Sequence, residues 1–192
     1  MIIGLAYLAI LLSVPLARGR LIALADLPLR RPGLAVAAIL VQILVISVIP
    51  GGDQTFHTLA HLFSYVLLGA FAFANRRIPG VAIAAFGGLL NFIAISANGG
   101  IMPADPETLA SFSHTTPEGE FANSQVLAHP KLLFLGDVIA TPSSLPLHTV
   151  FSIGDLVLMF GVAVLVHVQC GSRLVPRRRR RRDRAAEVPA TA

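Results

Sequence analysis

The chain is short of most things that give away a soluble enzyme. It has one cysteine, Cys170, which excludes an internal disulfide. Charged residues are 13% of its 192 positions against 55% hydrophobic ones, too few for a soluble domain of this size to stay dispersed. Lysine occurs once, at Lys131, and no basic residue precedes the first apolar run. A secretory signal has the opposite polarity, so that run reads as a retained helix. No internal repeat of the kind found in many transporters is present. Also missing are a Gly-x-Ser-x-Gly elbow, a phosphate-cradling Gly-rich Lys motif and a His-Glu-x-x-His pattern. Thr58, Leu59 and Ala60 stand between His57 and His61, so no glutamate accompanies that pair.

What the chain does have is five apolar stretches, Ile2–Ala17, Leu34–Ile49, Phe56–Phe73, Val81–Ala97 and Val150–Val168. At about 1.5 Å per residue they approach the lower limit for crossing a roughly 30 Å hydrocarbon layer. Arg18, Arg20, Arg30 and Arg31 fill the first connection, Arg76 and Arg77 the third, and eight more arginines follow the last stretch. The second and fourth connections share only Lys131. Positive charge is retained on the cytoplasmic side. The pattern therefore predicts an all-α integral membrane bundle of five transmembrane helices, N-terminus outside and C-terminus cytoplasmic. Alanine-rich, arginine-rich usage points to a bacterial inner membrane. Residues 1–172 form the membrane domain, and 173–192 a basic tail. Its Arg177–Arg182 run anchors the last helix and attracts anionic lipid head groups. With no interleaved aromatic residue, the tail is not read as a nucleic-acid site.

Between the spans, Leu21–Leu29 is expected along the cytoplasmic interface. Pro50-Gly51-Gly52-Asp53 reads as a tight external turn and Asn75–Gly80 as an internal one, with Pro79 starting the fourth helix. The outer loop, residues 98–149, is long enough to carry its own structure. In it, Asp105-Pro106-Glu107-Thr108 reads as a capped helix start. The apolar run Lys131–Ala140, interrupted by Gly136-Asp137, is too short for a sixth span and is expected re-entrant, interfacial or packed on the bundle.

Polar side chains inside apolar spans are costly and face partners or cavities. His57 and His61, Asn91 and Asn98, and Asp155 lie near the outer ends of spans three, four and five. Helical rise places His61, Asn91 and Asp155 roughly 6–9 Å below the outer surface, beneath the loop that carries Asp137. These six are the candidate ligand-binding residues. Each also has a plainer role. Ser152-Ile-Gly-Asp155 has capping-box spacing, and Asn98-Gly99-Gly100 fits a helix C-terminus in which Asn or Gly is left-handed. Asn91 and Gln42 fit interhelical hydrogen bonds, and Gly87-Gly88 close packing. The His57/His61 pair at i and i+4 is a weak metal or haem candidate; such pairs more often bond loop carbonyls. Gly136-Asp137 and Gly154-Asp155 invite comparison with intramembrane aspartyl proteases, but Ser152 stands where their first motif glycine belongs.

The run Gly88-Leu-Leu-Asn91-Phe-Ile-Ala-Ile-Ser-Ala-Asn98-Gly99-Gly100-Ile-Met102-Pro103, together with Leu135-Gly136-Asp137 and Phe151-Ser152-Ile153-Gly154-Asp155, resembles a family of small bacterial multipass membrane proteins known only as a domain of unknown function. The resemblance covers the chain to about residue 172 and implies a bundle of about five helices, without an activity. No catalytic residue and no cofactor follow from it. The expected function is binding or sensing of a small ligand, ion or partner segment in an outer polar pocket. A structural or assembly subunit, with a membrane partner or a second copy, and a metal- or haem-binding enzyme are the alternatives.

Overall fold

A computed structural model describes residues 2–45, 53–110, 124–141 and 150–175. The described chain is mostly helical: α1 (Ile2–Leu16), α2 (Pro32–Ile43), α3 (Gln54–Ala74), α4 (Val81–Ala97), a short α5 (Pro106–Ala110) and α6 (Ile153–Gln169). The expected all-α class acquires four two-residue strands: β1 (Met102–Pro103) pairs in parallel with β2 (Ser124–Gln125), and β3 (Ile139–Ala140) is antiparallel to β4 (Val150–Phe151). Of the five expected spans, Thr55–Ala74 alone is long and apolar enough to cross a membrane among the described residues. The apolar helices Gly4–Leu16, Pro32–Ile43, Val81–Ala97 and Ile153–Gln169 are shorter. At about 1.5 Å per residue none of these reaches a full hydrocarbon thickness unaided.

The helices form a row. The most extensive pairing is α4 with α6, then α2 with α3, then α3 with α4, and α1 lies against α6. Glycine sets the closest approach. A Cβ on Gly87 would lie 2.5 Å from the Gly154 carbonyl oxygen, and one on Gly161 would meet the Ala84 backbone. The α4–α6 pair is thus antiparallel and nearly backbone to backbone, a spacing that small residues permit. Gly88, expected to share this role, faces open space. Gln42 Nε2 donates to Ser64 Oγ at 3.0 Å across α2 and α3, the interhelical bond expected of it.

Helix ends follow local chemistry. Asp53 caps α3 by accepting from the Thr55 amide at 2.8 Å; the rest of the expected turn, residues 50–52, lies outside the described segments. Fixed φ at Pro79 does not start α4, because Gly80 (φ 87°) is the cap and the helix begins at Val81. Leu21–Asp26 is a 3₁₀ turn, exposed at both ends and held when Gln169 Nε2 donates to the Ala23 carbonyl at 2.9 Å. Cys170 is buried with Val14 and Val166, a small hydrophobe between α1 and α6. The basic tail from residue 176 lies outside the described residues.

The bundle has two unlike ends. Arg20 donates its amide to the Cys170 carbonyl, Arg173 to that of Ala17, and Arg30 to the Asn75 side chain. All seven described arginines therefore sit where α1, α3 and α6 finish and α2 and α4 start. At the other end lie the start of α3 and α6, the end of α4, and a lid built, among the described residues, from 98–110 and 124–141.

Candidate functional site

The lid end is organised by α4. Asn91 Nδ2 donates to Asp155 Oδ1 at 2.7 Å, and Ser152 Oγ donates to Asn91 Oδ1 at 2.8 Å. Asp155 Oδ2 accepts from the Ser152 amide at 3.1 Å while the Asp155 amide donates back to Ser152 Oγ at 2.9 Å. The capping box read from the sequence is present. Asn91 enlarges it into a closed three-residue network between α4 and α6. Gly154 makes room for it, since a Cβ there would collide with the Asn91 side chain.

Asn98 does something else. It is not left-handed (φ −112°); Gly99 and Gly100 take that conformation at φ 70° and 95°. The tightness falls on Gly100, whose Cβ would meet Thr58. Freed from the turn, the Asn98 side chain clamps the lid. Its Oδ1 accepts from the Lys131 amide at 2.8 Å, and Nδ2 donates to the Lys131 carbonyl at 2.7 Å and the Ala94 carbonyl at 2.8 Å. Met102 then plugs into Ala94 and Ile95, with Leu62, Tyr65 and Leu135 around it. Lys131–Ala140 is packed on the bundle, as one of the sequence alternatives had it, through a 3₁₀ turn at Leu133–Leu135 and strand β3. Asp137 is held by its backbone. Its amide donates to the Pro103 carbonyl at 2.9 Å and its carbonyl accepts from Asp105 at 3.1 Å.

Burial pushes the Asp137 carboxyl up to about 6; the Ser124 hydroxyl beside it opposes the shift and the Asp155 charge adds to it. Asp105, half-buried, is shifted the other way by the Thr108 amide and hydroxyl, which donate to it at 2.9 and 2.8 Å. It caps α5, as its sequence promised.

The histidines stand in the first turns of α3, at the same end of the bundle. Both are buried. His57 Nδ1 donates to the Asp53 carbonyl at 2.8 Å, the carbonyl contact expected of such pairs. His61 meets Tyr65 edge-on, centroids 5.4 Å apart, and Tyr65 tilts against Phe92 at 5.8 Å. Among the described residues no three His, Cys, Asp or Glu side chains are grouped as a metal ion would require.

Two residues escaped the sequence reading. Asn75, at the end of α3, repeats the Asn98 clamp at the arginine end. It accepts from the Arg30 amide at 2.8 Å and donates to the Arg30 carbonyl at 2.9 Å and the Phe71 carbonyl at 2.8 Å. An Asn following a helix and preceding two arginines was the available signal. The other is His167, buried between Ser13 Oγ at 3.0 Å from Nε2 and Ser172 Oγ at 2.9 Å from Nδ1. Ser13 donates to the Ile10 carbonyl at 2.7 Å, so Nε2–H is the donor toward Ser13 and Nδ1 accepts from Ser172. It ties α1 to the end of α6.

Fold and site together define a mostly helical bundle with an arginine-rich end and a lidded carboxylate–amide end. The chain belongs to a family of unknown function (DUF5317), whose model matches residues 26–167. An uncharacterized protein of Thermotoga maritima is 34% identical over 107 residues, covering 53% of this chain and 58% of the relative. The chain thus spans less than two thirds of that relative's length. No solved structure matches.

Proposed function

We propose that this is a multipass protein of a bacterial inner membrane that binds or senses a small ligand or ion at its lidded end. The bilayer part of the reading rests on where the apolar surface lies. Large side chains such as Leu12, Leu40, Phe63, Phe86 and Phe160 are exposed on five different helices. Large apolar side chains exposed on every long helix are what a bilayer, rather than water, would cover. In this reading α3 crosses with α1, α2, α4 and α6 beside it, their short lengths extended by interfacial residues or met by local thinning. The arginine end faces the cytoplasm and the lid faces outward. A reporter fused after Ala192 is then cytoplasmic, and a periplasmic one overturns the orientation.

The binding part is carried by one observation: the lid held by Asn98 brings a buried carboxylate, Asp137, to the same end of the bundle as the Asn91–Ser152–Asp155 network of α4 and α6. The surplus negative charge favours a small cation or a ligand rich in donors. Thermal unfolding of the detergent-purified chain in sodium, calcium or choline chloride tests this. The expected result is a cation-specific rise in Tm that Asp155→Asn and Asp137→Asn remove. Equal curves in all three salts overturn the cation form of the reading.

A second reading, a structural or assembly subunit, is favoured by how completely Asn91, Ser152 and Asp155 satisfy one another. It predicts that Asn91→Leu and His61→Leu alter stability alone and that a fixed partner co-purifies. The metal or haem alternative now rests on the His57/His61 pair; a purified chain with neither bound metal nor Soret absorbance removes it.

A further inference from the structure

Asn75 ties the Arg30-Arg31 pair to the Arg76-Arg77 pair that follows it, a basic cradle in a stretch of sequence without carboxylates. Arg30 and Arg31 lead into α2, Arg76 and Arg77 follow α3, and the Asn75 amide grips both backbone groups of Arg30 and so fixes the two pairs against each other. Asn75 is 2% exposed, so the grip is shielded from water, while all four arginines are exposed. No Asp or Glu occurs from residue 27 to 52 or from 54 to 104. Among the described residues none of these four guanidiniums is in an ion pair. Arg76 is the one whose head is occupied. It donates to the Phe73 carbonyl at 2.8 Å and stacks on the Phe73 ring, 4.1 Å from the centroid. Two arginine pairs whose backbones are fixed side by side, with no carboxylate in the surrounding sequence, leave excess positive charge that an external anion can neutralise. Guanidinium geometry suits the paired oxygens of a phosphate.

The surroundings indicate what carries that phosphate. Phe73 is 68% exposed and Leu29 41%, so apolar surface adjoins the cradle on the bundle side. A free phosphate gains nothing from it; a phosphate with acyl chains does. We propose that Arg30, Arg31, Arg76 and Arg77, positioned by Asn75, form a binding site for the phosphate of an anionic phospholipid. This rests on the membrane reading above and is separate from the attraction expected of the 177–182 tail.

The test uses the full chain in nanodiscs of phosphatidylcholine alone or with one fifth phosphatidylglycerol, native mass spectrometry counting retained lipids. Incorporation into discs reports on the membrane reading; lipid selectivity reports on the cradle. Wild type is expected to retain phosphatidylglycerol selectively. The R30Q/R31Q/R76Q/R77Q chain should incorporate normally but lose that preference at least about fivefold, whereas replacing Arg177–Arg182 by glutamine should leave most of it. Asn75→Ala keeps every charge, and its expected partial loss separates positioning from bulk charge. Unchanged selectivity in the quadruple variant, or full loss in the tail variant, overturns the proposal. An inorganic-phosphate arm in detergent settles the source: stabilisation of wild type by millimolar phosphate that the quadruple variant lacks overturns the lipid assignment in favour of free phosphate.

Discussion

Asn75 and Asn98 perform the same act at opposite ends of the bundle. Each follows a helix, satisfies the carbonyl four residues back, and grips both backbone groups of one loop residue. What they grip differs. Asn75 holds a segment crowded with arginine, and Asn98 holds a lid that carries the buried Asp137. The comparison teaches that helix ends, rather than helix faces, give this bundle its chemical polarity. Between the ends, contact between α4 and α6 depends on the absence of side chains.

That middle region carries the largest expected effect. Gly87→Ala or Gly154→Ala forces two backbones apart, at about 3 kcal/mol or more. Gly88→Ala, one residue along in open space, should be neutral or stabilising by up to about 1 kcal/mol. Unfolding of the three variants in detergent checks this, and equal behaviour of Gly87→Ala and Gly88→Ala would contradict the packing described.

Next comes the lid carboxylate. The folded state raises Asp137 to about 6 from an ordinary 3.8, so the fold binds a proton that the opened lid releases. Lid stability should therefore increase as pH falls from 7 through 6 and level off near 4, by on the order of 2 kcal/mol. Hydrogen exchange at the Asp105 and Asp137 amides, corrected for intrinsic rates, measures it, and Asp137→Asn should flatten the dependence. The arginine end should show no parallel trend.

The two clamps sharpen the comparison further. Asn75→Ala leaves a shielded N–H and C=O of Arg30 without partners, a loss of about 2 kcal/mol felt across α2 and α3. Asn98→Ala exposes the Lys131 groups to water, which replaces part of the bond, so about 1 kcal/mol and a local opening are expected. Faster exchange confined to the lid in Asn98→Ala, against global destabilisation in Asn75→Ala, is the signature.

Sequence periodicity located the helices because apolar runs bounded by Arg, Asn and Gly leave few other conformations. The Ser152/Asp155 box was legible since it is purely local. Asn98 was assigned to the turn because a glycine pair after Asn reads the same whether or not Asn is left-handed; only Lys131, 33 residues on, distinguishes them. Asn75 was invisible for the same reason, its partner lying 45 residues earlier. The burial of Asp137 depends on how the lid folds back, which no local pattern encodes. Span lengths were overestimated where a run of apolar residues continued past the helix, as at Val150–Phe151, which form a strand.

The smallest expected effect lies within the lid and contrasts two aspartates there. Asp105 is held below its ordinary value by the Thr108 amide and hydroxyl, so its cap is present above pH 3.8 and lost only as pH drops through a lower value. Asp137 strengthens the lid over the range above that, and Asp105 begins to release α5 below it. Lid protection should therefore pass through a maximum near pH 4. Asp105→Ala should remove the acid-side decline, with faster exchange at Thr108 where the carboxylate is ionised, convergence with wild type at lower pH, and no change at Lys131. A Thr108 amide exchanging identically in both chains would mean that the α5 cap contributes nothing to holding the lid.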